Sequence, residues 1–340
     1  MNLSYGADHV TVVTVTYGDR AHLLDQMLRA SMAEGVGHVI VVDNGAADDL
    51  ATRLPREHGD RVSVVTLPSN QGSAPGFAAG LAEARRRGAC WVLMLDDDNR
   101  LRPGALRRLL LRHEHEAARV PLDQLAVVAY RTRHLDQARA IPSIGMYGGS
   151  ATSCLGFHVG DLPMKVFRRT PWGRRWERSR AVRPAVRIAT APYSGMLFHV
   201  SVLQRHGLPR ADYVLYMDDI EFSSRLTRAG GALILVSDAP VDDVEESWHS
   251  EQDHGSAFGG LLHGAGDFRV YYHVRNCRHF ESVERQGAGW LRRLNERVFM
   301  AILHHQAVRS GRIERFELIR QAMADGAAAR LGVSTRFPLP

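Results

Sequence analysis

Three cysteines in 340 residues, Cys90, Cys154 and Cys277, are too few and too widely spaced for a disulfide framework or a C-x-x-C zinc site. They read as ordinary buried thiols. No apolar run ("HVIVV", "WVLML", "ALILV") approaches the ~20 residues that span a bilayer. The opening "MNLSYGADHVTVVTVTY" has neither the charged nor the apolar region of a signal peptide, so a cytoplasmic location is expected. No G-x-G-x-x-G follows the first strand pattern and no P-loop lysine is present, which disfavours dinucleotide oxidoreductases and P-loop nucleoside triphosphatases. Internal repeats and low-complexity linkers are absent as well. What is present, 45% hydrophobic residues, suffices for one large α/β core or two smaller ones.

The apolar residues alternate between two patterns. "HVTVVTVTY", "HVIVVDNG", "RVSVVTLPSN" and "CWVLMLDDD" read as buried strands, separated by the helical spacings of "DRAHLLDQMLRASMAEG" and "GFAAGLAEARRRG". After the acids comes a helix, "RPGALRRLLLRHEHEAA", with Pro103 expected in its first turn, then a strand "QLAVVAY". Strands alternating with helices predict an α/β fold with a doubly wound, mostly parallel sheet, whose ligands bind beyond the carboxyl ends of the strands. The polar residues gather at those ends: Thr16 and Tyr17, Asp43 and Asn44, Asn70, and the run from Asp96 to Asp98.

Three consecutive aspartates closing a buried strand need explaining, because adjacent carboxylates raise one another's pKa and destabilise a fold unless a cation is near. Three solvated loop acids are the plain alternative. A second acid pair, Asp218 and Asp219, opens a helix that ends at Gly230 and Gly231, where helix capping is the plain reading. The net charge of +6 is also local: residues 165–187 hold nine basic residues against Glu177, leaving the rest of the chain about −2. Such a segment is either a solvated loop or a patch that meets phosphates or an anionic membrane surface.

Seven pieces in order, "TVTYGDRAHLLDQML", "VIVVDNGAADD", "NQGSAPGFAAGL", "MLDDDNRLRPGAL", "YSGMLF", "YMDDIEFSSRLTRAGG" and "WH", resemble the inverting glycosyltransferases of family 2, which have the GT-A fold. The resemblance covers residues 10–249 and continues through "YYHVRN", a stretch common in rhamnosyl- and galactofuranosyltransferase-like members. It implies a GT-A catalytic domain over residues 1–254, with a nucleotide-binding half of about 1–100 and an acceptor-side half of about 101–254. A glycine-rich loop and C-terminal helical region would fill 255–340. It further implies that Asp96 and Asp98, with Asp97 between them, and the histidine of the W-H element, His249, hold Mn²⁺ or Mg²⁺ on the donor's diphosphate, with His254 as the fallback ligand. Asp219 inherits the role of general base toward the attacking hydroxyl. Asp218, Glu221 and Trp248 fall on the acceptor side, and Thr14, Thr16, Asp43, Asn70, Gly72, Asp97 and Arg275 on the donor.

Two departures stand out. The loop after Asp43 reads "DNGAADD", without the serine of the family's N-x-S-x-D, and Ala74 and Pro75 stand where relatives carry glycines. The resemblance favours a UDP or dTDP sugar, galactofuranosyl or rhamnosyl, passed to a saccharide or polyprenyl-linked acceptor. The arginine-rich segment with Trp172 and Trp176 would suit a peripheral contact at the inner membrane face. "HGSAFGGLLHGAGDF" fits a loop that orders over bound donor. The C-terminal stretch reads as two amphipathic helices that pack on the catalytic domain, form a homo-oligomer contact or lie on a membrane. Two rivals remain: a metal-dependent nucleotidyl- or phosphotransferase, and a nucleic-acid-binding protein, which would leave the strand-end acids without purpose. Nucleic acid is therefore not an expected partner.

Overall fold

The computed structural model describes residues 5–131, 138–139, 152–245, 257–264, 266–283 and 289–340. They form two compact units. The first takes in the described residues of 1–141, 182–211 and 218–245, the second those of 142–181, 212–217 and 246–340.

The first unit is an α/β sandwich. Its elements begin β1 (Val10–Gly18), α1 (Ala21–Ala33), β2 (His38–Ala46), α2 (Leu50–His58), β3 (Val62–Thr66), α3 (Ser73–Arg86), β4 (Trp91–Met94), β5 (Asn99–Leu101), α4 (Ala105–Ala117) and β6 (Leu125–Tyr130). Two helices of the second unit, α5 (Leu162–Arg169) and α6 (Pro171–Ser179), intervene. The first unit then resumes with β7 (Ala185–Arg187), β8 (Met196–His199), α7 (Ser201–His206), α8 (Asp218–Arg228) and β9 (Ala232–Asp243). The strands lie in the order β3-β2-β1-β4-β8-β6-β9-β5, with β7 also on β9. Neighbours β3, β2, β1 and β4 are parallel, as are β6 and β9, whereas β8 runs antiparallel to both β4 and β6.

Alternation along the strands places Val10, Val12, Trp91 and Leu93 on the face covered by α1, α2 and α4, and Val13, Val15, Val92 and Met94 on the face covered by α3, α7 and α8. Helix α3 lies unusually close to the sheet. A Cβ on Gly76 would fall 2.6 Å from Val15, and one on Gly80 2.5 Å from Val13, so these small residues set the depth at which the helix sits. Helix α4 starts two residues after Pro103, not around it. Gly104 adopts a left-handed φ of 78° there, and the Glu34 carboxylate caps the helix by accepting from the Gly104 and Leu106 amides at 2.7 and 2.9 Å.

The second unit is helical: α5 and α6, then α9 (Ala257–His263), α10 (Asp267–Val283), α11 (Gly289–Arg309) and α12 (Ile313–Ala327). Helix α10 is buried around most of its circumference and packs on α12, where a Cβ on Gly326 would fall 2.2 Å from the Arg275 carbonyl oxygen. Glu281 accepts from the Leu155 and Gly156 amides and from Ser153 Oγ, and Asn295 bonds Thr152 and Val159, stitching residues 152–159 to α10 and α11. Helix α9 occupies part of the glycine-rich stretch expected to be a loop. Helices α5 and α6 occupy part of the basic segment, and α11 and α12 match the two helices read at the C-terminus. Among the described residues no helix is long and apolar enough to cross a membrane.

Candidate active site

The parallel register brings the strand ends together. Thr16 of β1 stands opposite Asp43 of β2, Asp43 opposite Thr66 of β3, and Val13 opposite Met94 just ahead of the three aspartates. The aspartates then diverge in environment. Asp97 is held by Arg20 through two bonds, Nε to Oδ2 at 2.9 Å and Nη2 to Oδ1 at 2.8 Å, while Thr16 Oγ1 donates to Oδ2 at 2.7 Å. Burial opposes the charge on Arg20, yet the bonds to Asp97, and a further one from Nη1 to Glu245, hold its pKa above the ordinary value. Asp97 and Thr16, both expected on the donor, are thus bonded to each other, and Asp97 to a half-buried guanidinium.

Asp96 and Asp98 lack such a partner. Asp96 accepts from Ser194 Oγ at 2.5 Å, and Asp98 from Asn99 Nδ2 at 3.2 Å, with Arg20 Nη2 no closer than 4.0 Å. Burial pushes the Asp96 carboxyl up; burial, then the charges of Asp96 and Asp97, raises Asp98 to about 7. The supports beneath them are fixed. Arg131 donates to Ser194 Oγ at 2.8 Å and from Nε to Asp243 at 2.9 Å, and Asn99 donates to Asp243 at 3.0 Å. Two half-buried carboxylates with excess negative charge fit a divalent cation that completes its shell with phosphate oxygens and water. Among the described residues no cluster of three or more His, Cys, Asp or Glu could hold a metal ion by itself. His249, Trp248 and His254 lie outside the described residues.

The second acid pair opens α8 on the same side of the sheet. Asp218 is buried and accepts from Ser73 Oγ, in the first turn of α3, at 3.3 Å. Its Oδ2 and the Tyr193 hydroxyl are both buried without a well-formed hydrogen bond, although the two groups are near enough to perturb each other's titration. Burial raises Asp218 to about 7, and burial followed by the Asp218 charge raises Asp219 well above the ordinary value. Asp96 adds to both shifts, so the two acid groups share one field. Asp219 is half-buried and accepts from the Ile220 amide at 2.7 Å. A solvent-reachable carboxylate with a raised pKa is a competent proton acceptor once ionised.

Other expected residues are put to structural use. Glu221 is buried and paired with Arg225, Nε to Oε1 at 2.7 Å and Nη2 to Oε2 at 2.5 Å, which occupies both oxygens expected on the acceptor side. Arg275, expected on the donor, lies in the second unit, where it donates to the carbonyls of Gly332 and Tyr213 and to Asn276 and packs beside Tyr272. Thr14 is fully buried beneath Thr16. Asp43 turns one oxygen to the Gly45 and Ala46 amides at 3.1 and 2.8 Å, shaping the loop that follows β2. Asn44, placed at a strand end by the sequence but given no site role there, locks that loop to the next: its amide donates to Asn70 and to the Gly72 carbonyl, and its Oδ1 accepts from Gln71. Gly72 itself has φ of 93°, a conformation that favours glycine at the entry to α3.

The sequence profile of the family described as "Glycosyl transferase family 2" matches residues 11–203, more than half of the chain. The chain belongs to that family. It is 32% identical over 127 residues to the succinoglycan biosynthesis protein ExoO of Rhizobium meliloti, covering 37% of this chain and 36% of that protein. It is 26% identical over 198 residues to the galactofuranosyltransferase GlfT1 of Mycobacterium tuberculosis, covering 57% and 56%. The chain thus spans between about a third and a little over half the length of these relatives. A solved structure described as GalNAc-T7 with UDP, GalNAc and Mn²⁺ superposes over 84% of this chain and 53% of its own, at a TM-score of 0.45 and 12% identity.

Proposed function

We propose that this protein is an inverting glycosyltransferase that moves a sugar from a nucleoside diphosphate to an acceptor hydroxyl. The observation that carries the reading is the convergence, in a chain of this family, of two half-buried acid groups with distinct surroundings: Asp96 and Asp98, over-charged for their site, and Asp219 at a helix start. In this reading Asp96 and Asp98 hold Mg²⁺ or Mn²⁺. The metal, when bound, neutralises the diphosphate leaving group. Asp219 takes the proton of the attacking hydroxyl on the face opposite the departing diphosphate, which gives inversion. Asp218, steadied by Ser73, holds the start of α8 and with it the direction of Asp219. The loops fixed by Asp43, Asn44, Asn70 and Gly72 form the wall for base and ribose.

The name of GlfT1 favours a galactofuranosyl donor among the UDP and dTDP sugars, with rhamnosyl next, and that of ExoO supports a saccharide acceptor. Incubation with each nucleotide sugar, with Mg²⁺, Mn²⁺ or EDTA, tests the reading. Release of nucleoside diphosphate that requires the metal is the expected result. Release of sugar-1-phosphate or pyrophosphate instead would identify a nucleotidyltransferase and overturn it.

A further inference from the structure

The formal charge of the chain is concentrated in one structural feature. Residues 162–181 hold seven basic residues against the single acid Glu177, a net +6 that equals the charge of the whole chain. Most of these residues, including all of the basic ones but Arg180, form α5 and α6, which meet at a tight corner. Thr170 caps α6 by accepting from the Gly173 amide at 3.1 Å and donates back to the Phe167 carbonyl at 2.6 Å. A Cβ on Gly173 would fall 2.0 Å from that same carbonyl oxygen, so the corner closes backbone on backbone. Phe167 meets Trp176 edge-on at 6.1 Å, and Arg168 pairs with Glu177 across the two helices. The pair is braced by its own inner side.

Its exposed surface is apolar and cationic at once. Helix α5 buries no residue and α6 only Gly173. Trp172 is 76% exposed, Val166 63% and Leu162 41%, among exposed Arg169, Arg174, Arg175 and Arg178. A nucleic acid would satisfy the arginines and the tryptophan, yet leave Leu162, Met164 and Val166 in water. A bilayer surface with anionic headgroups satisfies both sets together: aliphatic and indole groups enter the headgroup boundary while the guanidiniums stay on the phosphates. We propose that α5 and α6 form a docking surface for an anionic phospholipid bilayer, holding the protein peripherally on the membrane. The sequence left the basic segment between a solvated loop and such a patch; two helices with exposed Trp172 and Val166 favour the bilayer. The surface is independent of the transferase reading, since lipid binding needs neither donor nor acceptor.

The test is co-sedimentation of the full chain with vesicles of phosphatidylcholine alone or mixed with phosphatidylglycerol. Binding should require phosphatidylglycerol and weaken as salt is added. Arg175→Gln with Arg178→Gln, two exposed side chains outside the bonds that brace the corner, should weaken it about 25-fold, or roughly fivefold per charge. Trp172→Ala should weaken it several-fold without changing the salt dependence, and circular dichroism would confirm that each variant is folded. Equal sedimentation with both vesicle types, or binding indifferent to the arginine substitutions, would refute the proposal. So would full vesicle binding by Trp172→Ala alongside arginine-dependent binding of a single-stranded polynucleotide, which would assign the surface to nucleic acid.

Discussion

Asp98→Asn separates the stability of the metal-free protein from its capacity for metal. In the native state the Asp98 carboxyl titrates at about 7 instead of the ordinary 3.8, chiefly through burial and then through the charges of Asp96 and Asp97. A folded-state pKa raised in this way contributes stability that is complete below about 3.8 and is lost as pH rises through 7. At about 1.4 kcal/mol per tenfold change in proton affinity, the ionised group costs of order 2–4 kcal/mol at pH 8. An asparagine keeps the acceptor for Asn99 Nδ2, now 3.2 Å away, and removes the charge. The metal-free variant should therefore melt several degrees higher than wild type at pH 8, and the difference should shrink toward pH 5. With Mg²⁺ and UDP the order should invert, because wild type gains about 4.1 kcal/mol at a thousandfold excess over Kd while the variant has lost a ligand. Differential scanning fluorimetry across pH, with and without Mg²⁺ and UDP, reads both signs. A metal-free variant no more stable than wild type at pH 8 would show that Asp98 is already compensated, and the cation-site argument would fail with it.

Asp219→Asn should keep nucleotide binding by calorimetry and lose about 10²–10⁴-fold in transfer rate, the usual range for a missing general base; equal loss of both would remove Asp219 from that role. Arg20→Ala should cost about 3 kcal/mol in urea unfolding, because it strands a buried Asp97, and Asp97→Asn in the same chain should restore most of it; no rescue would mean that Arg20 acts elsewhere. In the second unit Asn276 Nδ2 donates to the Tyr213, Leu215 and Tyr216 carbonyls at 2.8, 2.8 and 2.9 Å, across a turn in which Val214, Tyr216 and Met217 all have φ of 66°. Asn276→Asp keeps the shape without the donor and should destabilise at least as much as Asn276→Ala, about 1–3 kcal/mol by urea titration; a neutral Asp would show that the turn needs no donor.

The strand ends were legible because their cause is local. A β-branched run that stops at a polar residue must stop near the edge of a parallel sheet, so Thr16, Asp43 and Asp96 fell together from pattern alone. Partners were not legible, because they arrive from far along the chain: Arg20 lies 77 residues from Asp97, Ser194 98 from Asp96, and Asp243 144 from Asn99. Tyr193 and Ser194 did sit in the quoted "YSGMLF", but nothing local says which hydroxyl meets which acid. Glu221 carried a local signal that went unused, an arginine four residues on along a helix, and that pair now occupies it. The turn between α5 and α6 was signalled too, by threonine at a capping position followed by proline in the first turn. Runs of eight and nine residues dense in arginine gave too little apolar periodicity to suggest helices.

The question posed by three adjacent aspartates divides once Arg20 is seen. One of the three charges has a permanent counterion built into the fold, with bidentate geometry and a hydroxyl beside it, so it places no demand on a ligand. The other two do not, and every further charge near them except Arg20 and Arg131 is negative: Asp97, Asp243, and across the site Asp218 and Asp219. Two uncompensated carboxylates match the charge of one dication. A third would have driven one acid to remain protonated and left a poorer ligand. Pairing Asp97 internally therefore does two things at once. It anchors β1 and the start of α1 to the end of β4, and it sets the charge of the remaining pair. The middle aspartate reads as a ligand in sequence because it is indistinguishable there from its neighbours; in the fold it is the residue that lets the other two be ligands.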